Sequence, residues 1–446
     1  MDPALLHRTA EIAADYLGTL AERPVGADAS LDQLRSALRV GLGEAPRSAL
    51  EVIEDLVAAT EPGLIGSQSP RYFGFVIGGG LDAAIAADWL TSVWDQNGGG
   101  YPVGPSAAVA EEAVCEWLLE LLRLPAGAGI GLTTGCQMAH FTCLAAARHR
   151  VLADAGWDVE AEGLFAAPPL RVLVGAKAHT TVFAALRMLG LGSRRVDLVA
   201  TDAQGRMEPS ELARLLAAGQ GPAIVVAQVG EVNTGAIDPM PEIVRLAREH
   251  GAWCHVDGVA DADSWATDAH KWLNVPYDCG IAVVRDRHAH AAAMDSFTGA
   301  DYIPHPQHDE RNQAEWVPEF SRRARGFAVY AALQELGRRG VAELVARCCR
   351  CARLMAEELV RDPRVTVINE VVLNQVLVRF AADGANITDE VIDAVQRQGT
   401  CWMSGTRWDG EPAMRISVCN WRTTEEDIRL SARAILEQAD VVRHVT

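Results

Sequence analysis

Between about residue 130 and residue 290 the chain alternates short apolar runs with helical ones, and this alternation constrains the fold more than any other feature. Ile130-Gly131-Leu132-Thr133-Thr134 reads as a strand and Met138 to Ala153 as the helix after it. The same pairing recurs at Arg171 to Gly175 with Thr181 to Leu189, and at Ala223 to Gln228 with Pro241 to His250. Ala252 to Asp257 and Cys279 to Arg285 complete the set. Strands that are apolar throughout, rather than on alternate residues, must be buried on both faces, so the pattern predicts a mostly parallel α/β sheet with helices on each side. Ligands of such sheets bind at the carboxyl ends of the strands. Functional residues are therefore to be sought just after each apolar run.

Two of those ends carry chemistry. The run Ser264-Trp265-Ala266-Thr267-Asp268-Ala269-His270-Lys271-Trp272 presents a lysine after a short apolar stretch. A Schiff-base lysine must be held partly desolvated so that its amine can lose a proton. Upstream, Cys254-His255-Val256-Asp257 is a buried-type strand ending in a carboxylate. A carboxylate there suits the ring nitrogen of pyridoxal phosphate (PLP), whose charged pyridinium acts as an electron sink. Gly135, Cys136 and Gln137 precede the helix that starts near Met138, and backbone amides at a helix start favour an anion such as a phosphate.

Five landmarks in order, Thr134-Gly135-Cys136-Gln137, Ala178-His179-Thr180-Thr181, His255-Val256-Asp257, Asp268-Ala269-His270-Lys271-Trp272 and Phe320-Ser321-Arg322-Arg323, resemble the PLP-dependent group II amino-acid decarboxylases. The resemblance runs from roughly Leu50 to the C-terminus. It implies the aspartate aminotransferase-like fold, PLP fold type I, with a mostly parallel seven-stranded sheet. It further implies a helical dimerisation arm over 1–60, a large PLP-binding domain over 61–330 and a small C-terminal α+β domain over 331–446. The implied activity is decarboxylation of an L-amino acid to its amine and carbon dioxide through a Lys271 aldimine. Other PLP chemistry on the same fold, such as an aldehyde synthase, a carbon–carbon lyase or an aminotransferase, is the alternative.

The resemblance also assigns residues. Lys271 would carry the cofactor, Asp257 would pair with its ring nitrogen, and His179 would stack on its ring and later help protonate the substrate's alpha carbon. His270 would touch the phosphate beside Gly135, Cys136 and Gln137, where the family commonly has a serine-rich version of this turn. Asn233 would face the 3-hydroxyl, and Ser321 would reach the phosphate of the partner subunit's cofactor, making a homodimer with a shared active site. Phe75, Val76 and Ile77, in a Gly-rich loop that lacks the strand-then-helix context of a phosphate loop, would line the substrate pocket, with Trp94 adding to an apolar or aromatic character. Arg415 could receive the substrate carboxylate, although a decarboxylase should not clamp a departing carboxylate in a charged pocket. The segment Asp301 to Trp316 would close over the site and supply the proton. Relatives carry a loop tyrosine, whereas this loop has only Tyr302 at its root, counted with the substrate pocket. A lost proton donor would favour oxidative deamination to an aldehyde.

Composition narrows the partners. The net charge of −19 disfavours nucleic acid and anionic membrane surfaces, which need basic patches. Met1-Asp2-Pro3 lacks a basic start and no apolar segment of signal-peptide or transmembrane character follows, so the sequence reads as cytoplasmic. The ten cysteines read as reduced thiols: Cys348, Cys349 and Cys351 share one amphipathic helix and do not converge on an ion, so no metal site is expected.

One connection strains this reading. Asp257 and Lys271 should close neighbouring parallel strands, and such strands need a crossover of a dozen or more residues. Only Gly258-Val259-Ala260-Asp261 separate Asp257 from the next apolar run, Ala262 to Thr267. Four or five residues span at most about 14–18 Å. The sequence therefore predicts either a deletion or a stretch of chain that escaped observation, the latter being favoured, between Gly258 and Asp261.

Overall fold

In the computed structural model, which describes residues 2–295 and 311–445, the alternating region forms one seven-stranded sheet. Its strands are β1 (Gly129–Thr133), β2 (Arg171–Gly175), β3 (Asp197–Val199), β4 (Ala223–Gln228), β5 (Trp253–Asp257), β6 (Ser264–Asp268) and β7 (Gly280–Val284). The order across the sheet is β1-β7-β6-β5-β4-β2-β3. Strands β6, β5, β4, β2 and β3 pair in parallel, and β7 runs antiparallel to both its neighbours. Strands β1, β4 and β7 are buried along their whole length, as their unbroken apolar sequences require. The short Asp-Leu-Val of β3, with its partly exposed start, gave no comparable signal.

The long helix Cys136–Asp154 packs across the sheet. Cys143, Leu144, Ala146 and Ala147 are fully buried and share one core with Val174, Ile224, Ala266 and Val284. A row of alanines on that face lets the helix lie close to the strands.

The β5–β6 connection is continuous and carries no helix. Six residues, Gly258–Asp263, join the strands, because β6 begins at Ser264 rather than Ala262. They suffice because β6 pairs with only three residues of β5, starting opposite His255. The chain needs to retreat about 7 Å along the strand and cross about 4.8 Å to its neighbour. Asp263 N–H donates to Cys254 O at 2.9 Å, Trp265 Nε1–H to Ala260 O at 2.5 Å and the Arg285 guanidinium to Ala262 O at 2.8 Å. The six residues thus close the strand pair without a helix, shorter than the crossover the sequence reading calls for.

The described residues divide into two compact units: one of 78–349 with 369–375, and one of 1–77, 350–368 and 376–446. The expected boundaries after residues 60 and 330 fall inside these units. In the second unit the N-terminal segment is tied to the C-terminal region rather than standing apart: Val25 N–H donates to Gly399 O at 2.8 Å and Phe73 N–H to Trp402 O at 2.7 Å. That unit holds a five-stranded sheet built on β8 (Val365–Val367), β9 (Gln375–Ala382), β10 (Ala385–Asn386), β11 (Ser404–Trp408) and β12 (Glu411–Ser417). The helix expected over Val341 to Leu354 is part of Gly326–Leu359, interrupted at Gly337.

Candidate active site

The carboxyl edge of the large sheet gathers the lysine, the aspartate and the helix start. Lys271 lies in the turn that leaves β6, where Ala269 N–H donates to Cys279 O at 3.0 Å and Val275 N–H to Ala269 O at 3.2 Å. Gly78 clamps the outside of this turn. Its N–H donates to His270 O at 3.1 Å, and a Cβ on Gly78 would sit 2.0 Å from Lys271 O, so only glycine fits. Lys271 Nζ stands 2.9 Å from Asp268 Oδ2. Burial draws the amine's pKa down, but Asp268, with Asp257 behind it, outweighs burial and holds Lys271 as an ammonium. The sequence reading expects an amine ready to lose its proton; in the structure the Asp268 carboxylate keeps that proton on the lysine.

Asp257 closes β5. His140 Nε2 lies 3.6 Å from one of its oxygens and Cys136 Sγ donates to the other at 3.8 Å. Burial would raise its pKa, but His140, followed by Lys271 and His179, holds the carboxyl well below its usual range. It is an anion at any working pH, as a partner for a pyridinium must be.

The helix Cys136–Asp154 starts at this edge with Gly135 as its N-cap. Gly135 lies directly against β7: a Cβ on Gly280 would be 2.3 Å from the Gly135 backbone. In the direction where Gly135 itself lacks a side chain, the neighbours are Asp268 Oδ1 and His270 Cε1, each at 3.8 Å. The first amides of the helix thus open onto a space bounded by His270. His270 Nδ1 accepts from Cys279 N–H at 3.4 Å, and burial lowers the ring's pKa. A backbone N–H can only donate, so the neutral ring carries its proton on Nε2. Helix amides and an imidazole N–H form a donor set suited to a phosphate, with the lysine and the aspartate on adjoining strands, and the site fits PLP on these grounds.

The other sequence candidates are distributed unevenly. His179 is the N-cap of the helix Thr180–Met188, its Nδ1 accepting from Thr181 N–H at 3.4 Å, and it contributes to the lowered pKa of Asp257. Cys136 is buried with its thiol pKa pushed up by burial, and its Sγ lies 3.4 Å from His140 Nε2. Cys136, His140 and Asp257 bring their ligand atoms within 4.8 Å of one another, a spacing that would suit a cation, but the thiol is held protonated. Gln137 is exposed, with its Nε2 3.9 Å from Met188 Sδ. Asn233 lies on the loop after β4, and its side-chain amide donates to Glu231 Oε1 at 2.7 Å, so this donor shapes the loop. Ser321 is exposed beside Arg322, which is buried against Glu111 and donates to Gly98 O at 2.8 Å. Phe75, Val76, Ile77 and Arg415 belong to the other unit. There Phe75 packs near Trp402 at 5.7 Å between ring centroids. Trp94 meets Phe327 edge-on at 5.2 Å. Tyr302 lies outside the described residues, as does most of the segment Asp301 to Trp316.

Sequence reasoning passed over Asp268 and His140. Asp268 stood in the quoted motif, and a carboxylate three residues before a lysine in a turn is a recognisable ion-pair signal. His140 had no such signal, because a helical histidine announces its partner only once the helix is docked. A simpler clue was also available: the chain has two lysines, Lys177 and Lys271.

A family model described as the pyridoxal-dependent decarboxylase conserved domain matches residues 32–381. The chain belongs to the pyridoxal-dependent decarboxylase family. PLP is accordingly its cofactor, and the protein is an amino-acid carboxy-lyase. Among relatives of this family, an Arabidopsis thaliana protein named tyrosine decarboxylase 2 is 26% identical over 98% of this chain and 88% of its own length. One named L-2,4-diaminobutyrate decarboxylase, from Rhizobium meliloti (strain 1021), is 29% identical over 80% of this chain and 75% of its own. An Arabidopsis thaliana phenylacetaldehyde synthase is 24% identical over 98% of this chain and 96% of its own. The crystal structure of Oryza sativa TDC with PLP and tryptamine superposes with a TM-score of 0.90 at 22% identity, covering 99% of this chain and all of that one, which establishes the fold. Among the described residues no helix is long and apolar enough to cross a membrane.

Proposed function

We propose that this decarboxylase holds PLP through Lys271 and releases an amine and carbon dioxide from an L-amino acid at the carboxyl edge of the large sheet. The observation that carries the reading is the convergence of Lys271, Asp257 and the helix start at Gly135 on that edge. When bound, PLP supplies the sink for the electron pair left by the departing carboxylate. Asp257, an anion backed by His140, holds a proton on the pyridine nitrogen. The amides of Cys136 and Gln137 and the Nε2–H of His270 hold the phosphate. His179, which caps its helix through Nδ1, would cover the ring. Asp268, 2.9 Å from Lys271 Nζ, would orient the lysine and hold its charge until the cofactor is bound.

The assembly reading is a homodimer in which Ser321 reaches the partner's cofactor and residues 1–60 form the arm. Exposed apolar side chains support it: Leu31, Leu50, Val52 and Leu56 on the N-terminal helices, and Trp89, Leu90, Val93 and Trp94 on the helix Asp82–Trp94. Such groups need cover. For the substrate, relatives named for tyrosine, tryptophan and 2,4-diaminobutyrate delimit a first panel. Mass spectrometry of products from these three L-amino acids tests the reaction class. Amine with carbon dioxide supports the proposal; aldehyde with ammonia would move the chain towards the phenylacetaldehyde synthase relative.

A further inference from the structure

Behind Asp257 runs a buried chain of hydrogen bonds that ends on a tryptophan. His140 Nδ1 and His255 Nε2 are 2.9 Å apart, His255 Nδ1 and Ser264 Oγ are 2.9 Å apart, and Trp253 Nε1 is 2.9 Å from the same Ser264 Oγ. His140, His255 and Ser264 have no exposed surface. The far end of the chain, His140 Nε2, lies 3.6 Å from one Asp257 oxygen and 3.4 Å from Cys136 Sγ, whose thiol donates to the other Asp257 oxygen at 3.8 Å.

The direction of this chain follows from what each group is able to do. An indole N–H is a donor only, so Trp253 gives its proton to Ser264 Oγ. The Ser264 hydroxyl keeps one proton of its own and, being buried, has to place it. His255 Nδ1 is the acceptor within reach. A neutral His255 that accepts at Nδ1 carries its proton on Nε2 and donates to His140 Nδ1. A neutral His140 that accepts at Nδ1 carries its proton on Nε2, aimed at Asp257. Burial pushes the His255 pKa down to about 3, in keeping with a neutral ring. The reverse polarity would leave the Ser264 proton without an acceptor among the described residues.

We infer that Trp253, Ser264, His255 and His140 form a relay of fixed polarity that presents an imidazole N–H to Asp257 and so fixes the charge and orientation of the carboxylate that governs the cofactor's ring nitrogen. The inference rests on the assignment of Asp257 to that nitrogen. The four residues are positioning residues: they act through Asp257 and touch neither substrate nor cofactor. Their elements explain why the relay exists. Trp253 and His255 alternate on the same face of β5, Ser264 lies opposite His255 on β6, and His140 descends from the helix onto that face.

The test uses holoenzyme reconstituted with PLP carrying nitrogen-15 in its ring, read by NMR, together with steady-state kinetics. In the wild type the ring nitrogen is expected to be protonated. Ser264→Ala removes the proton that sets the polarity while changing the volume little. It is expected to move the nitrogen signal towards the unprotonated form and to lower kcat by about ten- to a hundredfold with KM nearly unchanged, the range typical of partners that orient a directly acting group. Ser264→Thr, which keeps the hydroxyl, is expected to restore both, and Trp253→Phe to give a smaller shift in the same direction. A Ser264→Ala holoenzyme with an unmoved nitrogen signal and unchanged kcat would overturn the relay while leaving the site intact. A wild type that binds labelled cofactor away from Lys271 would overturn the site reading and the relay together.

Discussion

Asp268 and Lys271 form a 2.9 Å ion pair across three residues of one turn, with the carboxylate buried and the lysine side chain one-third exposed. The pair makes the lysine an ammonium, and the proton has to leave before the amine can bond to carbon. Asp268→Asn removes the largest influence that raises the amine's pKa and leaves the burial that lowers it. The rate at which the apoenzyme captures PLP should then reach half its maximum at a lower pH than in the wild type. Stopped-flow absorbance across a pH series measures this; an unshifted profile would mean that the pair does not control the amine.

The close approach of Gly135 and Gly280 gives a second prediction. A methyl group at residue 280 would stand 2.3 Å from the Gly135 backbone, where neither neighbour is a flexible side chain. Gly280→Ala should cost about 1–3 kcal/mol through forced displacement, and it should weaken PLP retention more than an equally destabilising change elsewhere, because the displaced backbone is the phosphate cradle. Thermal melts with and without PLP separate the two effects.

The pH dependence of stability should carry the signature of buried neutral histidines. His290 is fully buried, accepts no solvent and lies 2.9 Å from Trp316 O, and burial pushes its pKa down to about 4. The unfolded chain binds a proton at this residue below about pH 6.5, whereas the folded chain resists until about 4. The stability that His290 contributes is therefore complete above 6.5 and is lost as the pH falls from 6.5 to 4, by up to roughly 3 kcal/mol. His290→Gln should flatten the slope of unfolding free energy in that window, measured by denaturant titration at fixed pH values. His255 adds to the wild-type slope in the same sense.

A fourth prediction concerns the shortened crossover. Asp261 pairs with Arg248 at 2.9 Å and with Arg285 at 2.6 Å, but all three side chains are substantially exposed. Exposed pairs contribute about 0–1 kcal/mol, so Asp261→Ala should leave the melting temperature nearly unchanged. The connection is held instead by the backbone register of β5 with β6 and by the Trp265 and Arg285 bonds to carbonyls.

Much of this architecture was legible because apolar runs and strand-end motifs are local signals. Strands β2 and β4 fall on the expected residues, and Lys271, Asp257 and the Gly135 turn lie at the expected edge. The illegible parts depend on contacts distant in sequence. Strand β3 is too short to announce itself, and β11 begins with Ser404 and Gly405, which carry little strand preference. The short crossover is illegible because β6 starts at Ser264, two residues into its apolar run, and pairs with only three residues of β5. His140 was invisible because its partners, Asp257 and His255, are more than a hundred residues away. The N-terminal segment joins the C-terminal region through backbone bonds that composition cannot reveal.

The central claim is that PLP is bound through Lys271. Borohydride reduction of the holoenzyme followed by peptide mass mapping tests it most directly, and with two lysines in the chain the readout is binary. The account predicts the pyridoxyl mass on the peptide containing Lys271, and its loss together with all amine and carbon dioxide production in Lys271→Ala. Label on Lys177, or amine production that survives in Lys271→Ala, would contradict it.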